Sequence, residues 1–328
     1  MYHLKRFWHQ SQVLEGNPLS DPTRRQTFVL TPDGYGDSQP LPAIWMLASF
    51  LNTGASFLSF RPWQENLWDR VNRLDAEGTL LPVRFVLPDV FTSLGGSQFL
   101  DSPAIGPYQT YLFDELLAVF ESRYATSRRG LAGTSSGGYG ALVSALLGSS
   151  RFSGVAAHAA DMGFDWCYLP DFPRLFDLMR RYQGLSSFWK AFGEASPKPS
   201  DWIPAINVLA MAAAYSPNLS ALPPHVDLPL DPSTLALDVD CWHRWRKWDP
   251  TIFIDRAEVQ ERARELSLLY FDAGASDQYN LQYGAQLLSQ KLSHYGIDHH
   301  FELFEGGHFG TQSRFDLSLP RLAKALTD

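Results

Sequence analysis

Short apolar runs alternate with amphipathic segments along most of the chain. Seven runs have the length and the β-branched or aromatic content of strands. They begin at Gln26, Ala43, Val83, Arg129, Gly154, Leu266 and His299. Between them, apolar residues recur at spacings of three and four, as at Leu112, Leu116 and Val119, and predict helices. This alternation predicts an α/β fold, with a mostly parallel central sheet and helices on both faces.

Two segments depart from the alternation. The sequence SQVLEGNPLSDPTRRQTFVLTP, from Ser11, resembles a hairpin and predicts an antiparallel edge of the sheet. Residues 161–265 contain eleven of the 22 prolines and six of the ten tryptophans. We therefore expect a core of residues 1–160 and 266–328, with an irregular, well-packed insertion at 161–265 over the C-terminal edge of the sheet. The insertion is either purely structural or a lid that shapes a pocket and excludes water, and its composition favours the lid.

Charge and composition argue against a nucleic-acid-binding protein and against a metal site. The 328 residues carry a formal net charge of -8, and no block of Lys or Arg is longer than a pair. A nucleic-acid partner is therefore not expected, because phosphate binding needs clustered cations. The two cysteines, Cys167 and Cys241, are interpreted as free thiols of a reducing compartment, although one disulfide is formally open. No Cys/His spacing suggests a metal site.

The apolar segments also argue against a membrane protein. The N-terminus has neither the apolar core nor the cleavage site of a secretory signal. The most apolar stretch, from Ala43, is interrupted by Ser, Asn, Thr and Gly residues, and is interpreted as a buried strand and loop. We therefore expect a cytoplasmic location.

One decapeptide, AGTSSGGYGA at 132–141, carries candidate chemistry. A strand precedes it and a helix follows it, which is the context of a nucleophile elbow, G-x-S-x-G. The positions two before and two after the serine approach neighbouring backbone, so side chains collide there. Ser135 has Gly133 and Gly137 at those positions, whereas Ser136 would have Thr134. Ser135 is thus the candidate nucleophile, and the alternative is a small-residue turn that only allows close packing.

A serine nucleophile needs a base, and the base needs an orienting carboxylate. In sheets of this type, the order along the chain is Ser, acid, His. Asp277 lies in the loop after the strand LSLLYFDAG, and His308 follows the strand HHFELFEG. Both positions lie just beyond strand ends, where sites of open α/β sheets gather. Asp272 is the alternative acid, although it lies inside its strand and is expected to bond locally.

Other polar residues are weaker candidates. His158 ends a neighbouring strand, where it is either a core histidine or a pocket residue, and Asp161 is a candidate for substrate contact. Trp166 is a further candidate pocket residue. His299 and His300 fall inside a strand and are expected to be structural or exposed. For the oxyanion hole, we expect the backbone N–H groups of the residue after the nucleophile, Ser136, and of Phe50 in the loop after an earlier strand.

Five segments carry a resemblance to a known family: GNPLSDPTRR, LPDVFTSLGGSQFLDS, AGTSSGGYGAL, YFDAGASDQYN and EGGHFG. With these, the chain resembles the putative-esterase family of α/β-hydrolases, which includes the enterochelin esterase-like and esterase D-like proteins. The resemblance implies the α/β-hydrolase fold and a serine carboxylic-ester hydrolase with Ser135, Asp277 and His308 as its triad. Many relatives carry His-Gly where this chain has Ala48-Ser49, in the predicted oxyanion loop.

We therefore expect a serine esterase that cleaves a neutral acyl or aryl ester through an acyl-enzyme, with no metal or organic cofactor. The expected partner is a small-molecule ester, without nucleic acid or membrane, and a homo-oligomer is compatible with the sequence. Two alternatives stay open. An acyltransferase would use the same triad, with an alcohol in place of water, and a non-catalytic binding protein would keep the fold.

Overall fold

The computed structural model describes residues 1–148 and 151–328. Within these ranges, the main sheet has the strand order β1-β2-β4-β3-β7-β8-β9-β10, and β5 and β6 form a separate short ribbon. The strands are β1 Tyr2–Gln10, β2 Arg24–Pro32, β3 Leu41–Leu47, β4 Arg84–Pro88, β5 Asp101–Ser102, β6 Gly106–Pro107, β7 Thr126–Thr134, β8 Gly154–His158, β9 Leu268–Gly274 and β10 His300–Phe304. From β4 to β10 all neighbours are parallel, so the predicted mostly parallel sheet is confirmed.

The N-terminal edge of the sheet is antiparallel, as the sequence suggested, but its first strand lies earlier than expected. β1 pairs antiparallel with β2, and β2 pairs antiparallel with β4. The predicted hairpin segment contains only one of the two strands, β2, and its first part, residues 11–23, is the connection between β1 and β2. The sequence does not predict β1, because only Tyr2 and Phe7 of its nine residues are buried. An edge strand with so few buried residues lacks the alternation of apolar and polar positions by which a strand is recognised.

Helices cover both faces of the sheet. They are α1 Leu67–Ala76, α2 Tyr108–Thr110, α3 Leu117–Glu121, α4 Ser136–Leu146, α5 Phe164–Cys167, α6 Phe172–Arg181, α7 Leu185–Glu194, α8 Ile203–Tyr215, α9 Val239–Arg246, α10 Pro250–Phe253, α11 Ala257–Arg264, α12 Leu281–His294 and α13 Phe315–Thr327, with a π-helical segment at Tyr111–Leu116. Alternate residues of β3 face opposite ways, Trp45 into the core under α4 and α12, and Ile44 into the core under α1 and α13. None of the helices in the described ranges has the length and apolar character needed to span a bilayer.

Residues 161–265 are largely helical, which corrects the expectation of an irregular insertion. Helix α8 is apolar on nearly all sides and is buried within the insertion. Trp202 and Trp245 are buried in aromatic clusters, and the hydrophobic core of this segment is continuous with the core under α4. The many prolines suggested irregular structure, but several lie in the first turn of a helix, as Pro173 and Pro204 do. Proline is compatible with a helix there, because the N–H groups of the first turn have no partner within the helix.

Candidate active site

Ser135 lies in a sharp turn between β7 and α4. Its backbone has φ 56° and ψ -128°, a conformation that a residue with a side chain adopts only under strain. The Ser135 N–H donates a hydrogen bond to the carbonyl oxygen of His158 at 2.8 Å, which ties the turn to the end of β8. The strained conformation holds the hydroxyl at the C-terminal edge of the sheet.

Glycines flank the turn because the backbones there are in contact. A Cβ atom at Gly133 would overlap the carbonyl of Gly137, and one at Gly137 would overlap the carbonyl oxygen of Leu47 in β3. Any larger residue would therefore separate α4 from β7 or from β3. The contacts at Gly133 and Gly137 are the close approaches that the sequence predicts around Ser135.

The structure brings Ser135, His308 and Asp277 together. His308 Nε2 lies 3.1 Å from Ser135 Oγ, and His308 Nδ1 lies 2.9 Å from Asp277 Oδ2. Asp277 is only 4 % exposed, and its second oxygen accepts a hydrogen bond from the Tyr279 N–H at 2.8 Å. With Nδ1–H donating to Asp277, Nε2 is free to accept the proton of the Ser135 hydroxyl.

His308 is held by two neighbours that the sequence analysis missed. The His308 N–H donates to Gln278 Oε1 at 2.8 Å, and the ring of Tyr279 stands edge-on to the imidazole at 4.7 Å. Gln278 and Tyr279 directly follow Asp277, so the loop that supplies the acid also fixes the position of the histidine. Their place in the segment SDQYN was the only indication of this role.

Asp272, the alternative acid, binds a different histidine. Its Oδ1 lies 2.8 Å from His158 Nδ1, and its Oδ2 accepts from Arg314 Nε at 2.8 Å. His158 Nε2 in turn lies 2.8 Å from Ser318 Oγ. Burial acts to raise the pKa of Asp272, but the hydrogen bonds and charges of His158 and Arg314 outweigh it and the pKa is lowered.

His158 therefore does not belong to the pocket, which corrects the pocket role considered for it. Its side chain is fully buried in the core between β9 and α13. Side chains alternate between the two faces of the sheet along β8, and His158 points to the face that α13 covers. Trp166 also lies outside the residues that line the cavity, and it packs near Tyr283 on the exposed side of α12. His299 and His300 contact Ser289 and Arg321, away from Ser135.

Two backbone N–H groups near Ser135 have no acceptor among the described residues. One belongs to Ser136, the first residue of α4, and the other belongs to Phe50 in the loop after β3. The loop is fixed where the Leu51 N–H donates to the carbonyl oxygen of Gly95 at 2.7 Å. A Cβ at Gly95 would come within 2.7 Å of the Phe50 ring, so the LGGSQ segment is shaped to hold this loop.

A cavity of about 530 Å³ opens above Ser135 and His308. The loop after β3 contributes Ser49 to Asn52, and a tight turn contributes Arg61 and Gln64. The insertion lines it with Asp161, Cys167, Tyr168, Asp171, Ile203, Pro204 and Asn207.

The two cysteines, Cys167 and Cys241, are both buried and are not joined by a disulfide. In the described part of the chain, no three His, Cys, Asp or Glu side chains are grouped closely enough to hold a metal ion.

Asp161 is the most buried carboxylate of the cavity wall contributed by the insertion. It is 8 % exposed, and its Oδ2 accepts hydrogen bonds from Tyr168 Oη at 2.9 Å and Gln98 Nε2 at 3.2 Å. Burial raises the pKa of Asp161, and these two hydrogen bonds oppose that shift. Asp171 lines the same wall, and burial raises its pKa as well.

The chain matches one family of proteins and is similar to several solved structures. A family model described as "Putative esterase" matches residues 102–323. Among curated proteins, none matches the chain significantly. Solved structures with the same fold include a ferulic acid esterase, 17 % identical, with a TM-score of 0.63 and 99 % of each chain covered.

Two further structures are similar over nearly their whole length. One is an S-formylglutathione hydrolase from Agrobacterium tumefaciens, 17 % identical, with a TM-score of 0.58 and coverage of 99 % of this chain and 96 % of the other. The second is fluorophosphonate-binding serine hydrolase F of Staphylococcus aureus, 15 % identical, with a TM-score of 0.58 and coverage of 100 % and 99 %. The predicted α/β-hydrolase fold is thereby confirmed.

Proposed function

The chain belongs to the putative esterase family and is therefore a carboxylic ester hydrolase by class, and we propose that Ser135 is the nucleophile of its reaction. The observation that carries the proposal is the continuous hydrogen-bonded series from Asp277 through His308 to Ser135. It starts from a buried carboxylate and ends on a strained serine at the edge of a cavity. A serine with such a base and orienting acid attacks carbonyl carbon.

In the first half of the reaction, Ser135 Oγ attacks the ester carbonyl while His308 Nε2 takes the hydroxyl proton. Asp277 stabilises the imidazolium that forms and keeps His308 in the required tautomer. The carbonyl oxygen becomes an oxyanion, which the N–H groups of Ser136 and Phe50 would bind. Each such donor contributes about 3 kcal/mol of barrier lowering. Collapse of the intermediate expels the alcohol, which takes its proton from His308.

In the second half, water enters where the alcohol has left. His308 removes a proton from that water, the hydroxide attacks the acyl-Ser135 carbonyl, and a second oxyanion forms in the same place. Its collapse releases the carboxylic acid and returns the proton to Ser135. The cycle balances with ester and water as the only reactants.

The proposed substrate is a neutral acyl or aryl ester, and the proposed role of the insertion is that of a lid. Apolar side chains from separate segments line the cavity, among them Phe50, Ile203 and Phe309, and they suit an apolar acyl or aryl group. Ile203 belongs to the insertion, which thus forms one wall of the space above Ser135. A ferulic acid esterase among the structures of the same fold is consistent with an aryl ester.

The test compares Ser135→Ala with its neighbour Ser136→Ala in the hydrolysis of p-nitrophenyl acetate. Ser135→Ala should lower kcat by about 10⁴-fold or more, because the covalent route is lost. Ser136→Ala keeps its backbone N–H and should retain most of the activity. Mass spectrometry after treatment with a fluorophosphonate should find the label on the peptide that contains Ser135. Unchanged turnover in Ser135→Ala would reject the proposal.

A further inference from the structure

The cavity wall contributed by the insertion is rich in hydrogen-bond acceptors that the proposed reaction does not use. Asp161, Asp171 and Asn207 line it, in the same cavity as Ser135 and His308. Neither carboxylate belongs to the hydrogen-bonded series of the nucleophile. We call these three residues the acceptor wall.

Asp161 has one oxygen bonded and one oxygen free. Both hydrogen bonds to this carboxylate, from Tyr168 and Gln98, end on Oδ2. Oδ1 has no hydrogen-bond partner among the described residues, although the residue is more than nine-tenths buried and lines the cavity. Oδ1 is not one of the buried atoms that lack any partner, so it is reached from the cavity, where a ligand donor can bond to it.

Neither carboxylate of the acceptor wall forms an ion pair within the described part of the chain, although the charge of His308 acts on Asp161 from a distance. The donors to Asp161 are a tyrosine hydroxyl and an amide, both neutral, and no cation in the described part of the chain lies within ion-pair distance of it. The Asp171 carboxylate accepts a hydrogen bond from the Asn207 amide, and the charge of the exposed Arg174 acts on it from helix α6 without forming an ion pair. Among the described residues that line the cavity, the only arginine is Arg61, which lies in the tight turn before α1 and not in the insertion.

We propose that the acceptor wall is a subsite for a hydrogen-bond donor, a hydroxyl or an ammonium group, carried by the ester at some distance from its carbonyl. The proposal rests on the proposed function and refines its substrate class: a hydroxyl group keeps the ester neutral, whereas an ammonium group would make it cationic. The donor would bond to Asp161 Oδ1, with Asp171, to which the Asn207 amide donates, as a further acceptor. Hydrogen bonds to carboxylates are shorter and stronger than neutral ones, so this contact can decide between substrates.

The test uses two series of esters that differ only at the far end of one chain. In the first, heptyl butyrate is compared with 6-hydroxyhexyl butyrate and 6-aminohexyl butyrate. In the second, methyl heptanoate is compared with methyl 6-hydroxyhexanoate and methyl 6-aminohexanoate. Release of acid is followed by pH-stat titration. In at least one series, a donor-bearing ester should have a kcat/KM about tenfold to a hundredfold above its apolar counterpart.

Asp161→Asn and Asp171→Asn identify the residues responsible. Asp161→Asn should reduce the preference to within about threefold, mainly through KM, and Asp171→Asn should reduce it in part. The matched control is Asp177→Asn, an exposed insertion carboxylate that lies on α6 outside the cavity and pairs with Arg180. This control should keep the full preference. A higher kcat/KM for the amino ester than for its apolar counterpart indicates that the acceptor carboxylates are ionised. A higher kcat/KM for the hydroxy ester alone indicates that they are protonated. Both results support the subsite.

The outcomes separate this inference from the proposed function. If wild-type enzyme hydrolyses apolar and donor-bearing esters equally well in both series, the subsite is rejected and the esterase stands. Equal loss of all esters in Asp161→Asn would reduce Asp161 to a structural role and would also reject the subsite. If Ser135→Ala keeps the activity on every ester, the proposed function fails, and this inference fails with it.

Discussion

Asp272 and Asp277 lie five residues apart, one inside strand β9 and one in the loop after it, and each binds a different histidine. Asp272 lies inside β9 and binds His158 at 2.8 Å, deep in the core. Asp277 lies in the loop beyond the strand and binds His308 at 2.9 Å, beside the cavity. The chain therefore contains two aspartate–histidine pairs that each end on a serine, Ser318 in the core and Ser135 at the cavity.

The two carboxylates should respond differently to the same substitution. Asp277→Asn should lower kcat by about 10³- to 10⁴-fold, because the amide favours the wrong tautomer of His308. Asp272→Asn should leave kcat of the folded protein within about tenfold but lower the free energy of unfolding by about 3–5 kcal/mol, since it breaks a buried ion pair with Arg314. Steady-state kinetics and urea unfolding measure both effects. The opposite pattern would make Asp272 the acid of the reaction.

Much of the fold followed from the sequence because a buried parallel sheet leaves continuous apolar runs. Strands β3 and β4 are buried along their whole length, and their runs were found within two residues of their ends. The edge strand β1 was missed for the converse reason, since most of its residues are partly or fully exposed. The helical content of the insertion was missed because its buried tryptophans and its prolines suggested irregular structure.

The site was only partly accessible to sequence reasoning. The choice of Ser135 depended on local sterics at Gly133 and Gly137, which a short motif records. The direction of the His158 side chain depends on which face of β8 it occupies, and every residue of that strand is buried, so no polar alternation marked the faces. The contact of Gly95 with the Phe50 ring joins two loops far apart in the chain, and no local pattern encodes it.

Gly137→Ala should destabilise the protein, whereas Gly193→Ala should not. A methyl group at Gly137 would overlap the carbonyl oxygen of Leu47, and backbone at this position cannot move aside without separating α4 from β3. We expect a loss of about 1–3 kcal/mol or more in the free energy of unfolding. Gly193 lies in helix α7 with nothing within 4 Å of the added atom, so alanine there should be neutral or stabilise by up to about 1 kcal/mol. Equal stability of the two variants in urea unfolding would contradict the close contact.

Asp161→Asn should raise Tm at neutral pH, and the gain should shrink as the solution is acidified. Burial raises the pKa of Asp161 in the folded protein, so the folded state binds a proton more tightly than the unfolded chain does. Ionisation of Asp161 therefore costs stability as the pH rises from the unfolded value of about 3.9 through the folded pKa. Asparagine does not titrate and avoids this cost.

The measurement is the difference in Tm between Asp161→Asn and wild type, recorded from pH 4 to pH 8. It should be small at the acid end and grow with pH. Asp177→Asn, which alters an exposed carboxylate on the same insertion, is the control and should give no such trend. A difference that is constant across the pH range would show that the carboxylate is not strained by its burial, and would weaken its assignment as an acceptor that awaits a donor.

Ile203→Trp should discriminate against large esters if the insertion forms a wall of the substrate space. Ile203 is 40 % exposed and lines the cavity from the start of α8, so a larger side chain can be accommodated there without repacking the core. The added rings would occupy part of the cavity, and kcat/KM for p-nitrophenyl octanoate should fall by about tenfold or more relative to p-nitrophenyl acetate. Leu222→Trp is the matched control, because Leu222 is an exposed residue of the insertion that does not line the cavity, and its octanoate-to-acetate ratio should stay at the wild-type value. Since the ratio is measured within one variant, a fall in folded protein would cancel. An unchanged ratio in Ile203→Trp would mean that substrates do not use this wall, and the insertion would then be a structural addition rather than a lid.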